Sequence, residues 1–165
     1  MGKIPKEIKK AVGQYFDESI RHVQVFQARP HMIVAVSPAQ IVVLDNAEPV
    51  LQEPWLACSG AVWDSETETL EISFIEHGRP DTVIKCTNSP SELFLHTMRE
   101  GMEYTHVLNV EHRSDSGVIV KMGIMRHRDG KLEYWEQITG QVPDHEREEI
   151  DNIRVRVKDS VGLEV

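Results

Sequence analysis

The chain has 165 residues, enough to bury a sizeable core, and 27 Asp and Glu against 18 Lys and Arg give a net charge of −9. No apolar run approaches the ~20 residues that span a bilayer, and the start, Met1-Gly2-Lys3-Ile4-Pro5-Lys6, holds no apolar signal core and puts Lys6 where N-myristoylation calls for Ser or Thr. Residues 1–30 carry six basic and three acidic side chains, the remainder 12 and 24, and no Lys or Arg stands between Arg29 and Arg79, so the main body repels phosphate backbones and nucleic acid is excluded as an expected partner.

Residues 5–20 read as an amphipathic helix. Ile4, Ile8, Val12, Tyr15, Phe16 and Ile20 form one stripe, with Lys6, Lys9 and Lys10 on other faces. A basic helix of this kind can contact a membrane surface. The simpler reading packs its stripe on the domain and leaves the lysines in water. His22 to Ala28 reads as a strand, ended by Arg29-Pro30. Met32 to Val36 and Ile41 to Leu44 are short apolar strands joined by a turn at Ser37-Pro38-Ala39-Gln40. Asp45 to Pro54, with Pro49 and Pro54, reads as a loop.

From Ala57 the pattern is a three-stranded antiparallel meander. Ala57 to Trp63 turns at Asp64-Ser65-Glu66. Leu70, Ile72 and Phe74 then alternate with Glu71 and Ser73, and Thr82 to Cys86 follows the Glu76-His77-Gly78-Arg79-Pro80 loop. These connections are too short for parallel crossovers. A helix comes next, with Ser89 as N-cap, Pro90 at the first helical position, Glu92 completing a capping box and Gly101 as the stop. Its expected apolar stripe is Leu93, Phe94, Thr97 and Met98.

Strands resume from Tyr104 to His112, with His106, Leu108, Val110 and His112 expected on one side, and from Val118 to Arg128. A two-residue turn at Asp129-Gly130 leads to Lys131–Ile138 and sets Leu132 opposite His127 and Tyr134 opposite Met125. Asp144 to Ile150 reads as a short helix. Ile153, Val155 and Val157, alternating with basic residues, suggest a guarded edge strand. The fold class is α+β: a strongly curved antiparallel sheet or barrel, an N-terminal helix, a capped helix at 90–101 and an additional C-terminal three-stranded meander. It reads as one domain, 1–165, in segments 5–20, 21–101, 104–139 and 143–165.

Across residues 21–101 this order of elements resembles the pleckstrin-homology-like superfold, which includes phosphotyrosine-binding domains, the third lobe of FERM domains and the tails of class I myosins. The likeness rests on Leu70-Glu71-Ile72-Ser73-Phe74, the Thr82–Cys86 strand and the Ser89-to-Gly101 helix. Two departures stand beside it: six strands are counted before the helix where that fold usually has seven, and the meander after the helix lies outside its plan. Members that bind phosphoinositides use basic residues near the first two strands. Pro30 to Gly78 has none, so the resemblance implies a protein or peptide partner, taken as an added strand beside the helix, rather than a phosphoinositide.

No catalytic signature, phosphate loop or zinc-helix motif is present. His106 and His112, roughly 20 Å apart along an extended strand, cannot share a metal ion. Cys58-Ser59-Gly60 lies in an acidic strand that does not favour a thiolate. Glu66, Glu68 and Glu71 read as a solvated face. Cys58 and Cys86 fall in neighbouring strands, where a bridge is conceivable, but reduced buried thiols in a cytoplasmic protein fit better than a disulfide framework. The expectation is a cytoplasmic, non-enzymatic interaction module without cofactor or metal, its partner or ligand surface drawn from Phe94, Met98, His106, Met122, Tyr134 and Trp135. The alternative is a ligand-binding barrel or cone, enzymatic or not, with His106, Met122, Tyr134 and Trp135 facing its cavity. Membrane contact through residues 5–20 is a third reading.

Overall fold

The computed structural model describes residues 5–17 and 20–164. Met1 to Ile4, residues 18–19 of the expected first helix, the side chain of Ile20 and the terminal Val165 lie outside the described residues. The chain divides into two compact units, Met1–Phe74 with Pro80–Glu103, and Ile75–Arg79 with Tyr104–Val165. Among the described residues there are three antiparallel sheets, none closed into a barrel, and three α-helices.

In the first unit, α1 (Lys6–Gly13) is shorter than the stripe predicts. The backbone tightens after it, with Tyr15 N–H bonding to Val12 O and Phe16 N–H to Gly13 O. A single 3₁₀ turn follows at Ile20–His22. Next come β1 (Gln24–Arg29), β2 (Met32–Val36), β3 (Gln40–Asp45) and β4 (Glu48–Pro54), paired in that order. β2 and β3 are near-continuous apolar runs because both their faces are buried. Val34, Val36, Ile41 and Val43 enter the main core. Ala35, Val42 and Leu44 pack with Val12 and Phe16, and Ile8 and Tyr15 lie against the same cluster. The stripe of α1 is thus applied to the sheet, leaving Lys6, Lys9 and Lys10 exposed.

β4 corrects the expected loop at Asp45 to Pro54. Only Leu51 of the strand is buried, so it shows no apolar alternation, and its prolines are tolerated because it lies at an edge. The turn into it sets Asn46 and Ala47 both at positive φ, 49° and 67°.

A 3₁₀ turn at Trp55–Ala57 leads to β5 (Cys58–Asp64), β6 (Thr69–Phe74) and β7 (Thr82–Lys85), a meander with β5 and β7 at its edges. The helix that follows, α2 (Glu92–Thr105), starts and ends later than its capping signals suggest. Ser91, not Ser89, accepts the Phe94 N–H on its hydroxyl at 3.1 Å, and Leu95 N–H bonds to its carbonyl. Gly101 is no terminus; it is buried inside the helix. The inward face is Phe94, Thr97, Met98, Gly101 and Thr105, while Leu93 is exposed. Phe94 and Met98 join side chains of both sheets in one core with Phe26, Trp55, Leu70 and Ile72.

The second unit pairs β8 (His106–Arg113), β9 (Ile119–Arg126) and β10 (Leu132–Thr139) as a meander, followed by a 3₁₀ turn at Asp144–Glu146 and α3 (Arg147–Asp159). Three expectations are corrected. The β9–β10 loop has three residues, Arg128-Asp129-Gly130, with Gly130 at φ 87° and Lys131 O accepting the His127 N–H. Leu132 therefore faces Arg126, and Tyr134 faces Ile124. An irregularity between His106 and Leu108 turns His106 to the face of Met125, while Leu108, Val110 and His112 oppose Ile124, Met122 and Val120. Finally, the tail forms no strand. Ile150, Ile153 and Val157 recur at helical spacing and pack with Val120, Met122 and Ile124, so burial of a helix face prevails over the local alternation.

Candidate functional site

The feature of the first unit that invites a partner is β5. It is the end strand of its sheet, and among the described residues its strand pairing is with β6. Its own sequence, Cys58-Ser59-Gly60-Ala61-Val62-Trp63-Asp64, contains no proline and no Lys, and its one guard is a bulge between Cys58 and Gly60, which leaves Gly60 to Asp64 regular. β4, at the edge of the other sheet, carries Pro49 and Pro54. Two aromatic contacts bracket β5 along α2. Just before the strand, Trp55 fills the notch at Gly101, near the C-terminal end of the helix. Near the far end of the strand, Trp63 meets Phe26 edge-on at 6.3 Å, and Phe26 meets Phe94, in the first turn of the helix, at 5.5 Å. The segment entering β5 thus meets the C-terminal part of α2, and Trp63 is linked to the first turn of the helix through Phe26. Ala61, Trp63, Leu95 and Met102 are half-buried against the shared core. Leu95 and Met102, seven residues apart, form one shoulder of the helix.

On the outward face of this sheet Val62 and Val83 flank Glu71, and both valines are about 60% exposed (61% and 59%). At the β5–β6 turn, Asp64 accepts the N–H groups of Glu66 and Thr67 at 2.8 and 3.3 Å. Those hydrogen bonds, led by that of Glu66, hold its carboxyl below the usual carboxylate range.

An open groove of about 540 Å³ lies along α1 in this unit. Ile8, Val12, Ile33 and Leu44 give it an apolar floor, and Glu7 and His31 stand at its polar rim. Its volume lies in the range of small-molecule sites.

The six residues expected to form a partner or ligand surface do not come together. Phe94 and Met98 are core residues of the first unit. The other four belong to the second unit and divide between the two faces of its sheet. Met122 is buried against α3, and Tyr134 lies on the same face. His106 and Trp135 lie on the opposite face, edge-to-face at 6.4 Å. Trp135 is accommodated by Gly123, its neighbour across the strands, where a Cβ would stand 2.2 Å from the indole Nε1.

On the helix-covered face a polar cluster ties α3 to the sheet. Glu136 accepts the Tyr134 hydroxyl at 2.7 Å and the Arg154 guanidinium at 2.8 and 3.2 Å. Arg154 also reaches Asp151, and Lys158 lies over the Tyr134 ring at 4.9 Å. Burial works to raise the Glu136 pKa, but the bonds from Arg154 and Tyr134 outweigh it and the net shift is downward. Burial, together with the adjacent Glu136 carboxylate, pushes the Tyr134 phenol well above its ordinary value. Glu146, also buried, accepts the N–H and hydroxyl of Ser116 at 3.1 and 2.7 Å and fixes the β8–β9 turn. These contacts fasten α3 and the β8–β9 turn to the sheet.

Among the described residues no group of three or more His, Cys, Asp or Glu is placed to hold a metal ion. The bulge in β8 puts His106 and His112 on opposite faces. Cys58 and Cys86 are buried free thiols. Cys58 pairs with Phe74 at one end of β6, while Cys86 N–H bonds to Glu68 O beyond the other, a separation of roughly 20 Å along the strand. No described helix is long and apolar enough to cross a membrane.

Sequence reasoning identified the capped helix but not the shoulder of Leu95 and Met102, whose spacing of seven was the available signal. It also passed over the concavity under α1, which no local pattern announces, because its walls come from α1 and two turns. No protein-family model matches the chain, and neither the curated proteins nor the solved structures contain a match.

Proposed function

We propose that the chain is a non-enzymatic interaction module of pleckstrin-homology-like type, which takes an extended segment of a protein partner as an added strand on β5 beside α2. The observation that carries this reading is β5 itself: a strand that ends its sheet and that, from Gly60 to Asp64, carries no proline, Lys or bulge, with Ala61 and Trp63 packed on the core that Leu95 and Met102 of α2 also pack against. The order of elements supports the same reading. With β4 included, seven strands in groups of four and three precede the helix, the number that the resemblance asks for. The second unit is an extension with a core of its own. A cytoplasmic setting accords with the two reduced thiols.

Selection of random extended peptides on the purified chain tests the reading. The expected result is binders that shift the amide resonances of Gly60 to Asp64 and of Leu95 to Met102. Binders confined to another face, or none at all, would reject it.

A second reading rests on the concavity under α1, whose apolar floor and polar rim suit a small amphipathic molecule. Native mass spectrometry of the purified chain separates the two: a retained small molecule, lost on replacing Leu44 by a bulkier Trp, favours the ligand site.

A further inference from the structure

We infer that the segment taken up by β5 is cationic and alternates apolar side chains with Lys or Arg, an inference that rests on the added-strand reading above. A strand laid on β5 continues its pleat, so successive side chains of the guest alternate between the two faces of the sheet. Those on the inner face lie beside Ala61 and Trp63, half-buried and apolar, on the core that Leu95 and Met102 of α2 also pack against. Those on the outer face meet a different surface. There Val62 pairs with Glu71, and Asp64 pairs with Thr69, beside a turn that contributes Glu66 and Glu68.

The charge on this face is one-sided. Of the eight carboxylates between residues 30 and 78, four belong here, Asp64 and Glu71 on the strands and Glu66 and Glu68 at their turn, and no Lys or Arg stands among them. The base on the outer face is Lys85, which pairs with Thr69 from β7, the strand farthest from the open edge. A Lys or Arg on the outer side of a guest strand brings its cation beside Asp64 and Glu71, while its alkyl stem covers Val62, which is 61% exposed. A Glu at the same position meets only like charge. The edge therefore favours one class of segment through steering and complementarity as well as through backbone pairing.

The test uses the full chain, isotopically labelled, and two synthetic peptides of equal length, one alternating Val with Lys and the other Val with Glu. The expected result is that the Lys peptide shifts the amides of Gly60 to Asp64 and binds at least about tenfold more tightly than the Glu peptide at low salt. That preference should shrink in ~0.5 M salt, where screening cuts in at about 4 Å. A double variant, Glu66→Lys with Glu71→Lys at two exposed positions, should reverse the preference; its amide spectrum also reports whether it is folded. Equal binding of the two peptides on β5 would overturn the charge inference and leave the added-strand reading standing. Binding of neither would overturn both, and binding of the Lys peptide on another face would overturn the inference.

Discussion

Trp55 and Gly101 occupy interlocking space. The Trp55 indole donates to Ser37 O at 2.8 Å, and its ring fills the notch left by the missing side chain of Gly101, where a Cβ would stand 2.3 Å from Nε1 and 2.7 Å from Cδ1. The approach holds the segment leading into β5 against the C-terminal part of α2, which explains a buried glycine inside a helix that glycine weakens.

Replacing Gly101 by Ala sets two effects against each other. Helix propensity favours Ala by about 1 kcal/mol. The added methyl must displace a fully buried indole and also meets Pro38 O at 3.0 Å, and overpacking of this kind costs about 1–3 kcal/mol, plus about 1 kcal/mol if the indole bond is lost. The expected outcome is a net destabilisation of about 2 kcal/mol in urea unfolding followed by tryptophan fluorescence. Stabilisation would show that the indole yields freely.

Ala47 is held at φ 67° in an exposed turn, a conformation that disfavours a side chain by about 1–2 kcal/mol. Ala47→Gly is expected to stabilise the chain by about 1 kcal/mol, after the greater freedom glycine gives the unfolded chain is subtracted. A higher urea midpoint with an unchanged slope is the sign to look for; a lower midpoint would contradict the assignment.

The Glu136 cluster makes the second unit sensitive to acid. Its carboxyl pKa is lower in the folded chain than in the unfolded one, where Glu titrates near 4.3. The stabilisation is therefore fully present above about pH 5 and is lost as the pH falls through the folded value. Arg154→Ala removes two hydrogen bonds to a charged, mostly buried acceptor and should cost about 1–3 kcal/mol at pH 7. The gap between this variant and the parent should close toward pH 3. A gap independent of pH would mean that the arginine acts through packing alone.

The two thiols provide a probe of opening. Burial raises the Cys86 pKa, and both side chains lie in the core. A disulfide reagent at pH 8 is expected to leave both unmodified in the folded chain and to label both at the rate of unfolding. Rapid labelling of Cys58 alone would indicate that β5 detaches independently.

Much of the architecture was legible because burial leaves a periodic trace. The alternation of Leu70, Ile72 and Phe74 and the unbroken runs of β2 and β3 each report how many of their faces are covered. β4 was illegible because an edge strand with one buried side chain, Leu51, has almost no such trace, and its prolines speak for a loop. In the tail, Ile153, Val155 and Val157 fit two periods, and only the sheet beneath them decides for the helical one. Gly101 misled for a related reason: a glycine that makes room for a distant indole looks, locally, like one that ends a helix. The candidate edge was the least legible feature, since what matters there is a missing neighbour, and a missing neighbour is a property of topology.

The contrast between β4 and β5, two of the outer strands of the first unit, bears on self-association. Because β4 carries Pro49 and Pro54, which cannot donate to a ladder, while β5 carries no proline, two molecules meeting through these strands can join β5 to β5 more readily than β4 to β4.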